Sequence, residues 1–163
     1  MAELVTHQMA AQMLRYDSKT GLLYWLQRPC HNVFAEDIAG TKTSKGYIQI
    51  QLNKRLYKAH RIAWLLHFGS WPKGVVDHIN GEKTDNRIEN LRDVSIAVNS
   101  QNQRRPMSTN KSGYLGVSPF KGQWSAEILV SGRKKHIGLF ETPDAAHRAY
   151  IEEKRKSHHG CTL

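Results

Sequence analysis

Residues 75–92 read VVDHINGEKTDNRIENLR and concentrate side chains that could do chemistry. The Asp77 carboxylate is a hard oxygen ligand that suits Mg²⁺, an ion that takes one or two protein oxygens and keeps water or phosphate elsewhere. His78 follows directly. On a strand or tight turn it points away from Asp77, so one residue can hold a metal while its neighbour acts on something else. A neutral imidazole with a pKa of about 6.5 is a competent general base for activating water. Asn80-Gly81 is a hairpin dipeptide that folds the chain back just after the His. A calcium loop of the EF-hand kind does not fit. Counting back from Gly81 puts Val76, His78 and Asn80 where its oxygen ligands belong. Taken alone, Asp77-His78 also describes a hydrogen-bonded turn pair, and the asparagines at 80, 86 and 90 must decide between the two.

The elements around this stretch follow from periodicity and turn residues. Residues 3–15 form a short helix with Leu4, Met9, Met13 and Leu14 as its apolar members, and YDSKTG turns into a strand at 22–26. GYIQIQL alternates apolar and polar residues over 46–52, and Asn53-Lys54 turns it into RLYKA. The period then changes. Ala59, Ile62, Ala63 and Leu66 mark an amphipathic helix that stops at Gly69. VVDHI is a strand, and Ser95 can cap a helix running to about Gln103. Residues 103–113 are polar, basic and broken by Pro and Gly, as a linker would be. Three strands follow at 114–120, 123–130 and 134–140, joined by Lys121-Gly122 and Ser131-Gly132. Thr142-Pro143 opens a last helix whose end carries Lys154, Arg155 and Lys156. With no internal repeat, two unlike domains are expected.

Composition bears on partners. The chain has 163 residues, 24 Lys/Arg against 14 Asp/Glu, and a net charge of +10. That surplus favours polyanions, nucleic acid above all. Residues 104–163 hold 11 Lys/Arg and 5 Asp/Glu, so the smaller part carries the larger surplus. Cys30 and Cys161 are far apart, which speaks against a disulfide framework or a Cys-rich zinc site. No apolar run approaches the ~20 residues of a membrane span, and no secretory leader is evident, so a cytoplasmic protein is expected.

HRIAWLLHFGSWPKGVVDHINGEKTDNRIENLR, with an Asn further on, resembles the His-Asn-His (HNH) endonucleases, particularly the homing-type branch of phages and introns. The resemblance spans roughly residues 46–103. It implies a ββα-metal fold, in which a hairpin and a helix grip one divalent ion. Asp77-His78, Asn90-Leu91 and Asn99 match the family's ordered positions, with Asn where many members have a second His. By position, Asp77 and Asn99 would hold Mg²⁺, with Mn²⁺ as the alternative, and His78 would take the proton from the attacking water. Asn90 would bond across the hairpin and hold the loop that carries His78. One ion cuts one strand, so a monomer would nick double-stranded DNA. Asn102 is the rival second ligand. His60 and His67, with Trp64 between them, read better as an aromatic stripe than as ligands. For Asn86 and Asp85 a structural role in the hairpin is favoured.

SGYLGVSPFKGQWSAEILVSGRKKHIGLFETPDAAHRAYIEEKRKSH resembles the DNA-binding domain of plant Apetala/ethylene-response factors (ERF), over residues 112–156. In that family a three-stranded sheet enters the major groove. Ser118 and Leu129 stand where the plant pattern has Arg, so plant target specificity does not carry over. The DNA-contacting candidates are Lys121, Gln123, Trp124, Arg133, Lys134 and Lys135 on the sheet and its turns, with His136 in addition. Arg104, Arg105 and Lys111 are those in the linker. Trp124 could equally be core, and Glu127 is expected to be structural.

The resulting expectation is an α+β chain. Residues 1–45 are a β-rich extension, 46–103 the HNH nuclease, 104–111 a basic linker, and 112–163 an ERF-like sheet packed on one helix. The rival from another class is a DNA-binding regulator with a degenerate nuclease domain.

Overall fold

The computed structural model describes residues 5–107 and 109–162. The chain is mixed α/β, with four helices and several small antiparallel sheets among the described residues. It divides into two compact units at Ser95/Ile96.

The first unit opens with α1 (His7–Met13), whose N-cap Thr6 accepts a hydrogen bond from the Met9 amide through its hydroxyl. The helix expected over 3–15 therefore ends two residues early, and its beginning at residues 3 and 4 lies outside the described residues. Leu14 belongs instead to β1 (Leu14–Tyr16), which pairs with β2 (Leu23–Trp25) through Leu14↔Trp25 and Tyr16↔Leu23. The carboxylate of Asp17 accepts from the Lys19 amide at 2.9 Å and tightens the turn between them. Pairing with a distant segment here overrides helical propensity. β3 (Thr41–Lys42), β4 (Ile48–Leu52) and β5 (Arg55–Lys58) form a second sheet in that order. Asn53 and Lys54 both have positive φ, 49° and 64°, the left-handed pair that a two-residue hairpin turn requires.

α2 (Ala59–Phe68) buries Ile62 and Leu65 against Leu14, Leu23, Ile50 and Leu52. It stops at Gly69, whose φ of 76° and amide hydrogen bond to the Leu65 carbonyl make a left-handed cap. β6 (Val75–His78) and β7 (Leu91–Val94) follow as a two-stranded ladder, with a 3-10 turn at Ile88–Asn90 before β7. Val76, Leu91 and Ala63 of α2 form a small apolar cluster beneath it.

The second unit begins with α3 (Ile96–Gln101). β8 (Val117–Phe120), β9 (Gln123–Val130) and β10 (Arg133–Phe140) form an antiparallel sheet with β9 in the centre. α4 (Pro143–Ser157) packs on one face, and its cap is Thr142, whose hydroxyl accepts from the Ala145 amide at 3.2 Å. Val117, Ala126, Ile128, Ala146 and Tyr150 make the core. The stretch expected to be a linker is folded at both ends. Arg104 donates to the Thr162 carbonyl at 3.0 Å, and Asn110 donates to the Tyr114 carbonyl at 2.9 Å.

Candidate functional site

The strand β6 presents Asp77 and His78 on opposite sides. Asp77 sits directly across from Arg92 in the β6–β7 register. Arg92 donates from Nε and Nη2 to the same carboxylate oxygen, at 3.0 and 2.8 Å. Asp77 is only 9% exposed, and the guanidinium gives this buried side chain an ion-pair partner. The base of the hairpin is closed by Asp93, which accepts from the Lys73 and Gly74 amides, both at 2.8 Å. A Cβ at Gly74 would come within 2.3 Å of the Val94 carbonyl oxygen, so only glycine allows the chain to enter β6 here.

His78 is 4% exposed and sits in an aromatic niche. The ring of His60 from α2 meets it edge-on, at 4.9 Å between centroids, and Tyr47 lies at 6.1 Å. Its Nε2 lies 3.1 Å from Oδ1 of Asn86. Burial pushes the His78 pKa below the ordinary histidine range, partly opposed by the Asn86 contact and the charges of Asp77 and Asp85. The imidazole is thus held neutral, the form that can accept a proton.

Between the strands, Asn90 organises the loop. Its side-chain oxygen accepts from the Asn80 amide at 2.9 Å, its Nδ2 donates to the Asp85 carbonyl at 2.8 Å, and its own carbonyl accepts from the Ile79 amide. Asp85 pairs with Arg87 at 2.8 Å, and that hydrogen bond draws the carboxyl down to about 2. Both amide ends of Asn90 are thereby used in joining the strand exit to the return segment.

Two residues near His78 stand out beyond the sequence reading. Asn86, expected to be structural, touches the imidazole itself. His60 and His67 share a face of α2 but not an environment, because His60 is 7% exposed against His78 and Tyr47 while His67 is exposed at the helix end. The i+7 spacing hid this difference, since α2 continues past the edge of the packed surface. His60 Nδ1 is buried and has no hydrogen-bond partner among the described residues. Burial, above all, with the neighbouring His78 ring and the charges of Lys58 and Arg61, lowers its pKa from 6.5 to about 3.

That shift has a consequence for stability. A group whose folded-state pKa is depressed binds more protons when unfolded, so stability rises with pH between the two values. His60 is therefore expected to cost the fold about 2–3 kcal/mol on going from about pH 7 to about pH 4.5. Urea melts of wild type and His60→Gln at both pH values check this. An acid loss as large in the variant would rule it out.

Asp77, His78 and Asn90 all lie on or beside one hairpin, whereas Asn99 is half-buried on α3 in the second unit. Asn102 is buried, and its amide oxygen accepts from the Thr162 hydroxyl. Among the described residues, no group of three His, Cys, Asp or Glu side chains could hold a metal. The oxygen donors on the hairpin are the Asp77 carboxylate and the side-chain amides of Asn80, Asn86 and Asn90. That set suits a hard ion that keeps most of its ligands as water and phosphate, and not a closed thiolate or imidazole cage.

The expected DNA-contacting residues separate by face. Trp124 is on the side of β9 shared with Ala126 and Ile128 and packs, partly buried, against the core. Lys135 pairs across to Ile128, on the α4 side, and its Nζ is 2.8 Å from Glu153 of that helix. The Arg104 guanidinium is half-buried against Thr162, which places it in the fold rather than on a free linker. Gln123 and Lys134 lie on the face away from α4, with Lys134 loosely paired to Glu127 at 3.9 Å. Arg105, Lys111, Lys121 and Arg133 are exposed.

The helix α2, the strand β6 with its buried Asp-His pair, and the loop pinned by Asn90 follow one another along the chain. The sequence profile of the HNH endonucleases matches residues 57–101, a stretch that takes in Asp77, His78, Asn90 and Asn99. Those residues thus form an HNH endonuclease domain. Among individual proteins, it is 31% identical over 113 residues to Protein 3.8 of Escherichia phage T7, covering 66% of this chain and 91% of that protein. No solved structure matches it. A nuclease domain implies DNA as the substrate, and no helix among the described residues is long and apolar enough to cross a membrane.

Proposed function

We propose that the chain is a metal-dependent HNH endonuclease of the phage or homing type that nicks one strand of double-stranded DNA in a bacterial cytoplasm. The observation that carries this reading is His78, buried and held by Asn86, next in sequence to the buried carboxylate of Asp77. His78 removes a proton from water, whose oxygen attacks the phosphorus as the bond to the leaving 3′ oxygen breaks. Asp77 would hold Mg²⁺ or Mn²⁺, which when bound would neutralise charge developing on the phosphate and the leaving oxygen. Asn90 keeps the loop closed so that the His78 ring does not wander. Acting as a monomer with one ion, the protein cuts one strand per encounter.

Supercoiled plasmid carrying a candidate target tests this directly. Relaxed circles should accumulate with Mg²⁺ and not with EDTA. Tight binding without cleavage of any target would favour a regulator with a degenerate nuclease.

The second unit serves in this reading as an ERF-like domain that positions the nuclease. Lys121, Gln123, Arg133 and Lys134, with Arg105 and Lys111, are its exposed contacts. Substituting Lys121, Arg133 and Lys134 together by Ala is expected to weaken DNA binding. The slope of log affinity against log salt should become shallower by about 2–3, close to 0.9 for each phosphate no longer neutralised. Fluorescence anisotropy across a salt series measures it, and an unchanged slope would place the DNA elsewhere.

A further inference from the structure

We propose that Asn86 is a positioning residue for His78, and that the N-terminal β1–β2 hairpin, through Tyr16, holds Asn86 in place. The inference rests on His78 being the base, and it gives the N-terminal extension a part in the nuclease site.

The geometry forms a chain of three contacts. Asn86 Oδ1 is 3.1 Å from His78 Nε2. An amide oxygen only accepts, so the proton of the neutral ring sits on Nε2 and the lone pair is on Nδ1. One contact therefore selects the tautomer and restrains rotation of the ring, while the His60 edge restrains its tilt. Asn86 is itself 4% exposed, and its carbonyl accepts a hydrogen bond from the Tyr16 hydroxyl at 2.7 Å. Burial raises the Tyr16 pKa to about 12, so the phenol remains a donor across the working range. The turn that follows Tyr16 lies against the same backbone. The Ile88 amide donates to the Ser18 carbonyl at 3.4 Å, and a Cβ at Gly21 would fall 2.7 Å from the Asn86 carbonyl carbon.

The hairpin thus grips Asn86 by its main chain, and the side chain of Asn86 grips His78. A loop held only by its own turn would let the amide rotate away. The brace comes from residues about 70 positions earlier, on a strand that the nuclease motif does not include.

The first measurement needs no variant. Long-range ¹⁵N–¹H spectra of the full-length wild-type protein report which ring nitrogen of His78 carries hydrogen. The Nε2–H form is expected, and the Nδ1–H form would overturn the proposal. Nicking kinetics then test the consequence. Asn86→Ala should lower kcat about 10- to 100-fold with KM for plasmid little changed, because the ring is misaligned while DNA contacts persist. Asn86→Asp, which keeps an acceptor oxygen at the same reach, should recover most of the loss. Tyr16→Phe should lower kcat several-fold. Full kcat in Asn86→Ala, beside an inactive His78→Ala, would sink the positioning role and leave the base standing. Activity in His78→Ala would instead remove the base, with the wild-type tautomer still deciding the Asn86 contact. Should Asn86→Ala fail to fold, the wild-type spectrum and Tyr16→Phe carry the test.

Discussion

Replacing His78 by Ala is expected to lower metal-dependent nicking by about 10²–10⁴-fold, the usual contribution of a positioned general base. The ring is almost fully enclosed by His60, Tyr47 and Asn86, so no neighbouring group can take its place without moving the loop. Truncation leaves a polar hole where the imidazole stood. Added imidazole should enter it and restore part of the activity, a rescue that a merely unfolded variant would not show. DNA affinity should change little, because His78 carries no charge to phosphate in its neutral form. The expected result is a drop in kcat with a retained fold by circular dichroism. Nicking at the wild-type rate would remove His78 from the mechanism. Asp77→Ala should be equally inactive but unresponsive to imidazole. It also leaves Arg92 without its carboxylate, so its stability must be measured alongside.

The second large effect is structural. Gly21 has a φ of 75°, and a Cβ there would lie 2.4 Å from the Arg87 amide nitrogen and 2.7 Å from the Asn86 carbonyl carbon. Both are backbone atoms, which cannot swing aside as a side-chain tip would. Gly21→Ala should therefore cost about 2–4 kcal/mol, about 1–2 from the left-handed conformation and the remainder from separating the hairpin from the loop. Gly69→Ala is the control. Its φ is nearly the same, 76°, but nothing lies within 4 Å of the added carbon, so only the conformational part should remain. Urea midpoints of the two variants give the difference. Equal losses would mean that the hairpin does not press on the loop at all.

How much of this was legible in the chain depends on the range of the signal. Turn dipeptides are local, and Asn53-Lys54, Lys121-Gly122 and Ser131-Gly132 each sit at a hairpin with positive φ. The helix 59–68 with its Gly69 cap, and the Thr142-Pro143 helix start, are likewise set by neighbours within one turn. β1 was not legible, because LRY joins a strand only when Leu23–Trp25 comes alongside. The faces of the second sheet were not legible for a related reason. A strand alternates, but only the packed helix α4 decides that Trp124 and Lys135 point toward it and that Gln123 and Lys134 point away.

The sequence by itself determined the motif: an Asp and a His in succession, an Asn-Gly turn, and asparagines at 90 and 99 in an order that names a nuclease family. Spacing along a chain carries that information because a short hairpin permits few alternatives. Only the tertiary structure decided how His78 is held. His60 arrives from a helix 18 residues earlier, Asn86 from across the loop, and Tyr16 from the N-terminal hairpin. Each contributes a single contact with no periodic pattern behind it, so these contacts exist only once the long-range packing has brought the segments together.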